Sequence, residues 1–357
     1  MTGIQQLGAC KLARINADKT LNTVALWSVH NDDHNAPAIA YRSDKDAITI
    51  FGSDHGNDAL MRLLDVDRTT LATSNSRNLT FSSIISYAQL LTTGDRIVII
   101  GRLGSVKWVY MMSDDWGATW SAQRTLIDSS SPNLGQVYII AKPLASDATK
   151  AQFAFVGHPS LSTYRPIMHG LIDLVTGAIT TDAGGALGDL DDASGPSIVA
   201  TALTTAVPST TGVVYRLLDV GEVGGRYAVL YAEWESANDV TRYRIATYSG
   251  GSWTTAAWAP TAGAPFGYTP PSHYQGGAVF SRDNGAITSR EAGGGWYVDR
   301  WTWNGSDLVF AHEMSSSTVA RARPLVPTQT GLIPALVGEL TTYTSYTQYY
   351  GLGKVIE

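Results

Sequence analysis

The sequence predicts an all-β protein, a single β-propeller domain over residues 1–357 in which seven blades fit better than six and the N- and C-terminal strands close one blade. Three observations lead there: short runs rich in Val, Ile, Tyr and Phe bounded by turn residues, their recurrence at a fixed spacing, and one Asp-box turn. The strand-like runs are PAIAYR (37–42), AITIFG (47–52), RIVIIG (96–101), KWVYMM (107–112), AQFAFVG (151–157) and RYAVLYAEW (226–234). Helical periodicity shows only in DALMRLLDV (58–66), read as a helix in a loop. First strands of successive units start near residues 37, 88, 137, 226, 276 and 324. The intervals are about 50 residues, as in propeller arrays. The double interval between 137 and 226 is assigned to a degenerate fourth blade.

Ser113, Asp115, Gly117, Thr119 and Trp120 match the Asp-box pattern Ser-x-Asp-x-Gly-x-Thr-Trp. The pattern is turn chemistry: Asp accepts from backbone N–H groups, Gly takes a special dihedral, and Trp packs between strands. It predicts fold, not catalysis. Looser versions are SGGSW (249–253) and AGGGW (292–296).

Composition narrows the function. Apolar residues make up 44% and charged residues 16% of the chain, enough for a sizeable core and too few charges for long solvated helices. The net charge of −6 argues against a general nucleic-acid binder. Cys10 is the sole cysteine, which rules out an intrachain disulfide and a cysteine-rich metal site. No signal peptide is visible, and no apolar run reaches membrane-spanning length. Action outside the cell, as a secreted or virion-associated protein, is the expected setting. No membrane insertion is expected.

Hairpin symmetry gathers the candidate residues. Residues equidistant from a hairpin turn face each other. His34 and His55 mirror each other about Asp44 and Lys45, and Tyr87 and Arg102 mirror each other about Gly94 and Asp95. Tyr138 and His158 close the open end of the third hairpin; His273 and Tyr274 stand beside Arg290 in a later one. In a propeller these ends fall on one face, where His, Tyr and Arg share a cleft. The cluster lacks the spaced carboxylate pair of ordinary glycoside hydrolysis, and no GxSxG elbow is present. His, Tyr and Arg together suit β-elimination at a uronic acid. Arg neutralises the carboxylate as it becomes enolate-like, while His or Tyr takes the proton and Tyr returns one to the leaving oxygen.

The segments DDHNAPAI…ITIFGSDHG, SYAQLL…GRLG…YMMSDDWGATWS, VYIIAKP…FAFVGHPS…IMHGLID, GGAVF…ITSREAGGGWYVDRW and ELTTYTSYTQYYG resemble, in order, the propeller-type ulvan lyases and related bacterial-neuraminidase-repeat polysaccharide lyases. The resemblance implies a seven-bladed propeller that cleaves an anionic, uronate-containing polysaccharide by β-elimination. It assigns catalysis to His34, His55, Tyr87 and Arg102, and further cleft positions to Tyr138, His158 and a supporting His169. It implies no cofactor for catalysis and a structural metal in some members, with no ligands assigned. Ala88 stands where the family usually has proline after the tyrosine. Two other readings remain open: a non-catalytic carbohydrate-binding propeller of a phage or virion, and a sialidase-like glycosidase.

Overall fold

The computed structural model describes residues 8–15, 21–29, 37–42, 45–104, 107–130, 136–157, 164–238, 240–262, 277–318, 320–325, 335–340 and 354–356. These form seven sheets in chain order. The first pairs β1 (Gly8–Ile15) with β2 (Leu21–Val29). The second runs β3 (Ala38–Arg42), β4 (Ala47–Ser53), β5 (Leu60–Asp67) and β6 (Thr73–Thr80). The third runs β7 (Ile85–Thr93), β8 (Arg96–Leu103), β9 (Lys107–Ser113) and β10 (Arg124–Asp128). The fourth begins with β11 (Val137–Pro143), β12 (Lys150–Gly157) and β13 (Ile167–Asp173). It continues through β14 (Ala178–Thr180) and β15 (Ala186–Asp189). The short β16 (Ile198–Val199) then crosses to pair in parallel with β10, and β17 (Thr204–Val207) returns to β13. The fifth holds β18 (Val213–Val223), β19 (Arg226–Glu235), β20 (Val240–Ser249) and β21 (Ser252–Thr255). The sixth holds β22 (Gly277–Ser281), β23 (Gly285–Ala292), β24 (Gly295–Trp303) and β25 (Leu308–Ser317). The seventh holds β26 (Ala320–Leu325), β27 (Ala335–Leu340) and β28 (Lys354–Ile356).

The sheets are blades of a propeller. Their first strands touch in sequence, β3 with β7, β7 with β11, β11 with β18, β18 with β22 and β22 with β26, as strands around a common axis must. The apolar core is correspondingly divided into layers between neighbouring blades. Phe51 and Met61 meet Ile85 and Ile97 between the second and third sheets. Trp108 and Tyr110 meet Ile139 and Phe153 between the third and fourth. Val156 and Ile167 meet Val220 and Tyr231 between the fourth and fifth. Close approach also dictates glycine: a Cβ at Gly52 would overlap the Trp27 ring of the first sheet.

Several expectations need correction. Residues 58–66 are not a helix; Leu60–Asp67 is the third strand of its blade, and the apparent helical period comes from burial on both faces. Among the described residues there is no degenerate blade between 137 and 226. The extra residues are β14 to β17, short strands built onto the third and fourth sheets, and 226 begins a second strand after β18. Their brevity and Gly/Asp-rich surroundings hid them. Among the described residues no ladder joins the terminal strands: β1 pairs with β2, and β26 to β28 pair among themselves. SGGSW and AGGGW are two-residue hairpin turns, with positive φ at Gly250, Gly251, Gly293 and Gly294, rather than Asp boxes.

Residues 113–120 do form the Asp-box turn. Ser113 Oγ donates to Asp115 Oδ1 (2.7 Å) and accepts from the Gly117 N–H (2.6 Å). Asp115 also accepts from the backbone N–H and hydroxyl of Thr119 (2.8 and 2.6 Å). Gly117 has φ of +80°, and Trp120 packs edge-on to Phe51 of the neighbouring blade at 6.2 Å. The hydrogen bonds from Thr119 and then Ser113 pull the Asp115 carboxyl down to about 2. No helix among the described residues is long and apolar enough to cross a membrane.

Candidate active site

Three consecutive blades bring His55, Tyr87, Arg102 and Tyr138 together. His55 follows β4 in a tight turn, where the Asn57 N–H bonds the Asp54 carbonyl (3.1 Å) and the Asn57 amide donates to the buried Asp54 carboxylate (2.9 Å). That β-turn, with Gly56 at φ +70°, aims the imidazole at the Tyr87 ring of the next blade. His55 Nε2 stands 3.5 Å from Arg102 Nη2, the outer limit of a hydrogen bond. Guanidinium can only donate, so the ring nitrogen facing it presents its lone pair.

Tyr87 occupies a β-bulge. The β7–β8 ladder runs in register from Thr93↔Arg96 to Gln89↔Ile100, then resumes at Ser86↔Arg102, leaving one extra residue on β7. Tyr87 has φ of +58°, a left-handed conformation that a bulky residue adopts only when its surroundings over-determine it. The sequence mirror that set Tyr87 opposite Arg102 is therefore off by one residue: Ser86 holds that place. The bulge turns the Tyr87 ring toward the neighbouring blades instead. Its centroid lies 5.3 Å from His55, 5.8 Å from Tyr138 and 6.2 Å from Trp108.

Arg102, at the end of β8, is the charge at the centre. Its Cζ lies 4.5 Å from the Tyr87 ring centroid and 5.5 Å from that of Tyr138. The residue is 6% exposed, and its Nε and Nη1 atoms are buried without hydrogen-bond partners. A buried guanidinium with two unpaired donors is poorly satisfied alone and well matched to an incoming carboxylate. Tyr138 comes from β11, opposite Val156, at the open end of the third hairpin.

His169 and Arg290 make other contacts. His169 is fully buried in the fourth sheet, against the expectation of a cleft position. Its Nδ1 bonds Asp182 Oδ1 (2.6 Å), and its Nε2 lies 3.1 Å from Gln152 Oε1. Trp253 Nε1 donates to the other Asp182 oxygen (2.7 Å), closing a network between the fourth and fifth blades that leaves substrate no access. Arg290 is at the open end of its hairpin, but its Nε donates to buried Asp299 (2.5 Å) and its guanidinium lies over Tyr297 (5.1 Å). Burial raises the Asp299 pKa, and the Arg290 contact opposes that shift. His34, His158, His273 and Tyr274 lie outside the described residues. Among the described residues no group of three or more His, Cys, Asp or Glu side chains converges as a metal site. Trp108, beneath Tyr87, was not singled out in the sequence; its place opposite Arg102 in the β8–β9 ladder was the available signal.

No protein-family model and no curated protein matches the chain. Solved structures do. An ulvan lyase of polysaccharide lyase family PL25, bound to -[GlcA(1-4)Rha3S]-, superposes with a TM-score of 0.67 at 12% identity, covering 95% of this chain and 88% of that one. The chain has the propeller fold of these lyases. A second PL25 ulvan lyase structure gives 0.67 at 13% identity over 95% and 88% of the two chains. The polysaccharide lyase Uly1 gives 0.61 at 13% identity over 98% and 83%.

Proposed function

We propose that the protein is a polysaccharide lyase that cleaves an anionic, uronate-containing polysaccharide by β-elimination. The observation that carries the reading is Arg102, a buried cation with two unpaired donors, ringed by Tyr87, Tyr138 and His55. The shared fold with lyases, one of them bound to a glucuronate-containing oligosaccharide, supports it.

Arg102 takes the uronate carboxylate and stabilises the charge that builds there as the C5–H bond breaks. When the carboxylate occupies the guanidinium, the His55 Nε2 lone pair is released from it and removes the C5 proton. The electron pair forms the C4–C5 double bond as the C4–O bond breaks, and the Tyr87 hydroxyl protonates the departing glycosidic oxygen. Tyr138 walls the sugar on the side of the next blade. His34, opposite His55 by hairpin symmetry, is proposed as a second histidine of this site, and His158, His273 and Tyr274 as cleft residues. A polymeric substrate of this kind places the action outside the cell.

Absorbance near 235 nm, where the unsaturated uronyl product absorbs, tests the reading on a panel of uronate polymers. Product on at least one polymer, lost in Tyr87→Phe, is expected. No product together with measurable glycan binding would overturn the lyase in favour of a binding module, and release of sialic acid would point to a sialidase.

A further inference from the structure

Trp108 takes no part in the proton transfers, yet it touches the Tyr87 ring and the residue before Tyr138. It sits on β9 directly opposite Arg102 and is 1% exposed within the core layer between the third and fourth blades. Its indole stacks on the Tyr87 ring, with centroids 6.2 Å apart and planes 26° apart. Its Nε1–H donates to the Val137 carbonyl at 3.0 Å, one residue before Tyr138. We propose that Trp108 is a positioning residue that sets the Tyr87–Tyr138 pair around Arg102, an inference that rests on the lyase reading for its catalytic consequence.

Two features make such a part necessary. Tyr87 holds a left-handed conformation, which persists only where neighbouring groups enforce it. His55, Tyr138 and Arg102 lie around the ring at the blade ends, whereas Trp108 approaches from the packed core and supplies an offset stack. Tyr138 comes from a different blade, so its distance from Tyr87 depends on how the third and fourth sheets register. The Trp108–Val137 bond crosses that boundary beside it.

The test uses Trp108→Leu, which removes the stack, and Trp108→Phe, which keeps a ring and removes the N–H donor. Displacing a reacting group by about 1 Å costs on the order of 100-fold in rate. Trp108→Leu is therefore expected to lower kcat about 100-fold and Trp108→Phe about tenfold, each with KM within about threefold. Protein labelled with 3-fluorotyrosine supplies a readout independent of turnover, its resonances assigned through Tyr87→Phe and Tyr138→Phe. The Tyr87 signal is expected to move in Trp108→Leu, and the Tyr138 signal in Trp108→Phe. Unmoved signals in the folded variants, or wild-type kcat in both, would overturn the inference. If Trp108→Leu does not fold, Trp108→Phe decides. If wild type yields no product on any polymer, the lyase reading fails, and the fluorine signals still decide whether Trp108 positions the pair.

Discussion

Replacing Arg102 with Met separates a functional charge from a structural one. The guanidinium gains from two tyrosine rings at 4.5 and 5.5 Å. Such contacts contribute about 0.5–2 kcal/mol each. Against this, Nε and Nη1 are buried without partners, which costs about 1–3 kcal/mol per group. Met fills similar volume with no polar atoms; at mid-range about 2.5 kcal/mol lost from the rings is set against about 4 kcal/mol relieved at the two unpaired atoms, so net stability is expected to hold or rise slightly. Catalysis has no such compensation. Loss of one preorganised charge-stabilising group costs about 2.7–4 kcal/mol, or about 100- to 1,000-fold in kcat. Arg102→Lys, which keeps the charge but not the planar fork, is expected to fall between Met and wild type. Thermal melts and the 235-nm assay measure both sides. A large fall in Tm accompanied by turnover within threefold of wild type would refute the reasoning, because it would make Arg102 a structural residue.

Tyr87→Phe keeps the stack on Trp108 and is expected to lower kcat at least about 100-fold with Tm unchanged, read in the same two assays. His169→Ala leaves the buried Asp182 carboxylate without its imidazole partner; stability should fall by about 2–4 kcal/mol in denaturant titration while kcat per folded molecule is retained. Asp115 has a carboxyl held at about 2, below its ordinary 3.8, chiefly by Thr119 and Ser113. A depressed carboxyl stabilises the fold above the unfolded value and loses that contribution as pH falls through the folded one. Asp115→Asn should therefore lower Tm at neutral pH and flatten the decline of Tm between pH about 4 and about 2.

The hairpins were legible because strand runs and turns leave local marks. AITIFG and RIVIIG lie within β4 and β8, and the first hairpin pairs Ala38 with Phe51 about the expected turn. What sequence could not show depends on the third dimension. One extra residue at Tyr87 changes which side chain faces Arg102, and Tyr-Ala carries no mark of a bulge of the kind Gly would leave. His169 resembled a cleft histidine because its motif is intact; only the fold shows Asp182 and Trp253 enclosing it, from positions 13 and 84 residues away. Arg290 was placed at the correct end of its hairpin, but its diagonal ion pair with Asp299, two residues past its ladder partner Tyr297, could not be read before β24 was aligned.

The bulge at Tyr87 also bears on why one site draws on three blades. In a regular ladder, side chains alternate between the two faces of a blade, and each face is committed to the apolar layer against its neighbour. A polar group at such a position would be buried in that layer, as His169 is. The groups proposed for catalysis sit instead at strand ends: His55 in the turn after β4, Tyr87 in a bulge, and Arg102 next to last in β8. The turn and the bulge each interrupt local pairing, and they fall on different blades. Distributing them leaves the β3–β4, β8–β9 and β11–β12 ladders without register shifts. Their relative placement then depends on inter-blade packing, which is why a buried indole that takes no part in proton transfer is expected to control the rate.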